Sequence, residues 1–165
     1  MAIKVGDKLP EATFTTMTAD GPKPMTTDEF FGGKKVALFA VPGAYTPTCH
    51  KQHMPGFVER AEELTKKGFD TVACTAVNDI FVLTNWNKDS KADGKITMLA
   101  DGSADFAKKL GLEIDLTARG LGVRSRRYAM AVDNGVVTIL NVEDAPPSHD
   151  KSSAANLCSM IDKSL

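Results

Sequence analysis

No two cysteines in this sequence form a C-x-x-C pair, and no stretch approaches the roughly 18 consecutive apolar residues of a membrane helix. The first absence removes the local dithiol of a disulfide oxidoreductase, and the second argues against a membrane-spanning helix. The three cysteines, Cys49, Cys74 and Cys158, are odd in number and widely separated. That count disfavours a secreted disulfide scaffold and favours a reactive thiol inside the cell. Neither sign of charge dominates, since 20 Lys and Arg against 21 Asp and Glu leave a formal charge of −1. The short run Arg124-Ser125-Arg126-Arg127 is too little basic surface to make nucleic acid an expected partner. The opening residues Met1-Ala2-Ile3-Lys4-Val5-Gly6-Asp7 lack the apolar core of a secretory signal and the Arg- and Ser-rich, acid-free character of an organelle presequence. The expectation is a soluble cytoplasmic protein. Internal repeats, low-complexity tracts and linker-like shifts in composition are also missing. With 42% hydrophobic and 25% charged residues in a chain of 165, one globular domain over 1–165 is expected.

The local patterns predict an α/β order. Residues up to about Pro24 read as irregular, with a short strand near 13–17. Thr26-Thr27-Asp28-Glu29 has the form of a capping box and starts a short helix ending at Gly32-Gly33. Residues 36–41 are a continuous apolar run, the signature of a strand buried on both faces. A helix from Thr46 to Lys67 follows, with a kink expected at Pro55-Gly56. Further strands are expected at 69–77 and 96–100, around a helix capped by Asp79. A helix at 103–110 closes on Gly111, and a loop leads to a strand at 126–132. Asp133-Asn134-Gly135 supplies hairpin chemistry before a returning strand at 136–142. Leu157, Ile161 and Leu165 lie at helical spacing in a closing helix over 152–165. The order is that of a thioredoxin-like sandwich, a central mixed β-sheet flanked by helices.

Cys49 is the most informative residue because of its local position. With Thr46 as N-cap and Pro47 at the first helical position, it is the third residue of a helix that follows a buried strand. A helix start presents unpaired N–H groups and partial positive charge, which favour thiolate over thiol. A lone thiolate cannot close a local disulfide, but it can attack a peroxide oxygen and become a sulfenic acid. The competing reading is a small buried side chain with no chemistry. Cys49 and His53 are four residues apart with His50 beside them, a spacing that could hold zinc. Two or three ligands are too few, and Cys74, Cys158 and His149 are isolated, so no metal is expected. In the basic run, strand alternation puts Arg124 and Arg126 on one face and Arg127 on the other. Local sequence selects neither, and a solvated strand edge remains the alternative.

Pro42-Gly43-Ala44-Tyr45-Thr46-Pro47-Thr48-Cys49 resembles the peroxiredoxin motif P-x-x-x-T-x-x-C. His50-Lys51-Gln52-His53-Met54-Pro55-Gly56-Phe57, Val77-Asn78-Asp79, Leu99-Ala100-Asp101-Gly102 and the block from Gly120 to Tyr128 are similar to the peroxiredoxin 5, or type II, subfamily. The resemblance implies a thiol-dependent peroxidase reducing hydrogen peroxide and organic hydroperoxides, active in antioxidant defence, with no metal, flavin or haem. It implies that Cys49 is the peroxidatic nucleophile, that the Thr46 hydroxyl bonds peroxide and thiolate, and that Pro42 shields the sulfur. Arg127 matches the family's active-site arginine. Cys74 matches a second cysteine of plant-type members and is a candidate resolving residue. The animal-type resolving position is occupied by Lys151, and Cys158 reads as core. The oxidised sulfur is then regenerated by glutathione, glutaredoxin or thioredoxin. Tyr45 stands where phenylalanine is usual, in a loop around which family members form homodimers. The competing function is a non-catalytic thioredoxin-like binding or redox-sensing module, which would need none of the Thr46, Cys49 and Arg127 set.

Overall fold

The computed structural model describes residues 2–145, 148 and 150–164. In chain order the elements are β1 (Thr13–Thr18), β2 (Gly21–Thr26), α1 (Thr27–Phe31) and β3 (Lys35–Val41). A π-helical turn (Cys49–His53) then leads into α2 (Met54–Lys66), followed by β4 (Thr71–Ala76), α3 (Ile80–Asp89), β5 (Thr97–Ala100) and α4 (Asp105–Leu110). The last part holds β6 (Glu113–Asp115), a 3₁₀ turn (Thr117–Arg119), β7 (Val123–Ser125), β8 (Tyr128–Asp133), β9 (Val136–Val142) and α5 (Ala154–Ser164). The main sheet has the order β2-β1-β5-β4-β3-β8-β9. It is mixed: β3, β4 and β5 are parallel, while β8, β9, β1 and β2 pair antiparallel.

The apolar run in β3 is continuous because both of its faces are covered. Ala37, Phe39 and Val41 enter one core with residues of α2, α3 and α5. Val36, Leu38 and Ala40 enter the other with Phe30, Phe31, Phe106 and Leu110 of α1 and α4. Strand alternation thus builds two layers of helices on one sheet. The local signals act as expected at several joints. The Thr26 side chain accepts from the Glu29 N–H and caps α1, Asp79 Oδ1 accepts from the Val82 N–H at the start of α3, and Asn134 and Gly135 take φ of 48° and 79° in the hairpin turn.

Four expectations are corrected. The first segment is not irregular beyond a short strand: β1 and β2 form a full hairpin. Pro22 and Pro24 in β2 weaken that signal, yet both are tolerated because β2 is an edge strand. The disturbance expected at Pro55-Gly56 takes the form of a π turn ahead of the proline, in which the Met54 N–H reaches back five residues to the Cys49 carbonyl. Pro55 then falls in the first turn of α2, where its missing donor costs least. The loop before the basic run is instead a small ribbon of β6 paired with β7. The strand expected at 126–132 begins only at Tyr128. Leu165 and His149 lie outside the described residues. Among the described residues no helix is long and apolar enough to cross a membrane.

Candidate active site

The segment after β3 carries the site. Val41 ends the strand, and the chain crosses Pro42 and Gly43 before turning helical at residues 47–48. A Cβ at Gly43 would lie 2.8 Å from Arg124 Nη1 and 3.2 Å from Thr46 Cγ2, so the end of the Arg124 side chain would have to shift. Tyr45 adopts a left-handed φ of 64°, and its hydroxyl donates to Asp89 Oδ2 at 2.5 Å. That bond raises the Tyr45 phenol pKa above its ordinary value, with burial and the Asp89 charge adding to the effect. The same loop is tied to α3 at its other end, where the Ala44 N–H donates to Asn78 Oδ1 at 2.9 Å.

Cys49 is fully buried at the start of the π turn. Its sulfur accepts from Arg127 Nη2 at 2.9 Å. The charged donor on the sulfur can also meet an oxygen bound there. Arg127 is only 3% exposed and lies at the break between β7 and β8, in the same parity as Ala129 and Ala131, which pack on the α2 face of the sheet. Its other terminal nitrogen meets His53 Nδ1 at 3.0 Å. Arg124 also reaches the loop, donating from Nε to the Leu121 carbonyl at 2.8 Å and from Nη1 to the Pro42 carbonyl at 3.2 Å. Alternation had put Arg124 and Arg127 on opposite faces. Both nevertheless converge on residues 42–49, because the strand is interrupted between them.

Thr46, three residues before Cys49, is bonded differently from the expectation. Its side chain does not cap the helix, and its hydroxyl donates to the Gly43 carbonyl at 2.7 Å. One hydroxyl has one proton, so the bond to the cysteine sulfur is replaced by one that closes the loop and leaves the oxygen lone pairs as acceptors. Pro42, Thr46, Pro47, Thr48, Leu116, Arg119, Leu121 and Arg127 line a cleft of about 280 Å³. Leu116, Arg119 and Leu121 come from the connection between β6 and β7.

Cys74 sits in the middle of β4, opposite Phe39 of β3 and Met98 of β5. Burial raises its thiol pKa well above the ordinary 9.0, the negative charge of Cys49 raises it further, and Arg127 pulls the other way. Cys158 packs in the core from α5. Its pKa is raised first by burial and then by Glu63, with Arg60 opposing. All three cysteines are free thiols. His50 and His53 are engaged elsewhere: His50 Nδ1 accepts from Trp86 Nε1 at 3.0 Å, and His53 lies between Arg127 and the Ser152 carbonyl. Among the described residues no group of three His, Cys, Asp or Glu is arranged to hold a metal ion. Sequence reasoning placed His53 near the site without its partners, and it missed Ser152 and Glu143 entirely, since their link to Cys49 passes through folds of the chain.

A family model described as Redoxin matches residues 4–158. Peroxiredoxin-2E, chloroplastic, of Arabidopsis thaliana is 49% identical over 147 residues, covering 87% of this chain but only 63% of that protein. Peroxiredoxin-2D of the same plant is 46% identical over 143 residues, covering 86% of this chain and 88% of the relative. The structure of reduced Prx3 in complex with hydrogen peroxide from Vibrio vulnificus superposes with a TM-score of 0.92 at 48% identity, covering 96% of this chain and 99% of that one.

Proposed function

Because the chain belongs to the redoxin family and within it to the peroxiredoxins, we propose that it is a thiol-dependent peroxidase whose nucleophile is Cys49. The single observation that carries this reading is the buried Cys49 sulfur held 2.9 Å from the guanidinium of Arg127, a residue that itself lines a cleft. The thiolate attacks the hydroxyl-bearing oxygen of a hydroperoxide. The S–O bond forms as the O–O bond breaks, giving Cys49 sulfenic acid and an alkoxide or hydroxide that takes up a proton. Arg127 stabilises negative charge as it moves from sulfur to the leaving oxygen. With its own proton held by Gly43, the Thr46 oxygen accepts from the peroxide O–H and orients it. Pro42, which lines the cleft, shields the sulfur.

The lining of Pro42, Pro47, Leu116 and Leu121 supports organic hydroperoxides as substrates beside hydrogen peroxide. One thiol then attacks the sulfenic sulfur with release of water, and a second reduces the mixed disulfide, so that two thiols are oxidised per peroxide. Glutathione with glutaredoxin, or thioredoxin, fills that role. The fixed setting of Cys74 between β3 and β5 supports an external thiol over an internal resolving one, because a disulfide needs Cα atoms within roughly 7 Å and freedom to approach. Three free thiols support a reducing compartment such as the cytoplasm. Tyr45 and Phe81, 44% and 60% exposed around the active-site loop and α3, support a homodimer through this side.

Peroxide consumption coupled to each reductant tests the reading. The double variant Cys74→Ser, Cys158→Ser is expected to keep turnover with an external thiol, whereas Cys49→Ser abolishes it. Loss of turnover in the double variant would reject external resolution, and a fully active Cys49→Ser would reject the nucleophile.

A further inference from the structure

Arg127 closes a ring of hydrogen bonds on itself. Its Nη1 meets His53 Nδ1 at 3.0 Å, and His53 Nε2 lies 2.9 Å from the Ser152 carbonyl. Ser152 donates its N–H and its hydroxyl to Glu143 Oε2 at 2.5 and 2.6 Å, and the Glu143 N–H returns to the Arg127 carbonyl at 2.9 Å. All four residues are buried. The partners fix the state of the imidazole. A guanidinium can only donate and a carbonyl can only accept, so Nδ1 presents a lone pair and Nε2 carries the proton. The ring plane is held by Phe39 and Phe57, with centroids 5.0 and 5.4 Å away.

We propose that His53 is a positioning residue of the peroxidase reaction: anchored on the Ser152 carbonyl, its neutral imidazole accepts from Arg127 Nη1 and so aims Nη2 at the Cys49 sulfur. The inference rests on the peroxidase reading above. A guanidinium held at one nitrogen alone can swing about its stem, whereas a fork held at both nitrogens is fixed in plane and direction. The acceptor at Nδ1 is therefore what the reaction needs, and the Nε2 donor serves to hold that acceptor in place.

Two substitutions separate these roles. In His53→Asn the side-chain oxygen can take the place of Nδ1, keeping the acceptor and losing the Ser152 bond. In His53→Gln the amide nitrogen can take the place of Nε2, keeping the Ser152 bond and losing the acceptor. Single-turnover oxidation of Cys49 by hydrogen peroxide, followed by Trp86 fluorescence, is expected to slow only modestly in His53→Asn, which keeps the acceptor but loses its anchor. For His53→Gln it should slow by about a hundredfold, the scale of a 1 Å misplacement of a reacting group, at matched melting temperature. Equal rates in the two variants, or a faster His53→Gln, overturn the assignment while leaving the peroxidase reading intact. A wild type that Cys49 oxidation does not reach removes both. Should a variant fail to fold, ¹⁵N spectra of the wild-type imidazole decide: a bare Nδ1 and a protonated Nε2 at pH 7.5 are expected, and a protonated Nδ1 overturns the proposal.

Discussion

Arg127 Nη2 and Cys49 Sγ lie 2.9 Å apart in a hydrogen bond that spans 78 positions of sequence. The helix start brings the sulfur and the break between β7 and β8 brings the cation, so neither element alone makes the site. The pair is buried, and little water competes for the guanidinium as charge leaves the sulfur.

Arg127→Ala is expected to slow peroxide reduction by about 10²- to 10³-fold, the usual cost of losing one preorganised donor to developing charge. Arg127→Lys recovers little, because one ammonium cannot reproduce a fork that meets His53 and Cys49 together. Arg124→Ala, which loosens the Pro42 and Leu121 carbonyls without touching sulfur, costs far less. Stopped-flow rates for the three variants check the order, and equal small losses in Arg124→Ala and Arg127→Ala would sink the assignment.

Thr46→Val keeps the shape of the side chain and removes both its bond to Gly43 and its acceptor. Turnover should fall by at least about tenfold, within the range for mispositioned groups, while Thr46→Ser retains most of it. A wild-type rate in Thr46→Val would take the threonine out of the mechanism.

Alkaline pH should destabilise the fold through Cys74 and Tyr128. Burial raises both above their ordinary values of 9.0 and 10.0, so the native state holds its protons where the unfolded chain releases them. Their stabilisation is complete below the unfolded values and is lost as pH rises from these towards the raised folded values, at up to about 1.4 kcal/mol per pH unit per group. The Tyr128 hydroxyl has no hydrogen-bond partner among the described residues, which makes Tyr128→Phe a clean probe. Urea midpoints between pH 7 and 10.5 should fall less steeply in Cys74→Ala, Tyr128→Phe than in wild type, and parallel slopes would contradict the argument.

The parts of this molecule that could be read from sequence are those whose cause is local. The Val36 to Val41 run, the Thr26 and Asp79 caps and the Asn134-Gly135 turn each act within a few residues, and each appears as expected. Cys49 was legible for the same reason, as a thiol just inside a helix start. What failed depended on the assembled sheet. Two prolines hid β2, although an edge position excuses them. Counting alternation through residues 124–127 assumed an unbroken strand, and the break lets Arg124 and Arg127 meet the same loop. One difference is local instead: the Thr46 hydroxyl was assigned to the sulfur by resemblance, and the turn three residues back gives it the Gly43 carbonyl.

The most direct measurement is intact mass of the reduced protein and of Cys49→Ser after one equivalent of hydrogen peroxide in the presence of a sulfenic-acid trap. The account predicts a single trap adduct on Cys49 in wild type and none in the variant, with Cys74 and Cys158 unmodified. Equal, slow reaction of the two proteins would contradict it, because Cys49 would then not be the residue that meets the peroxide.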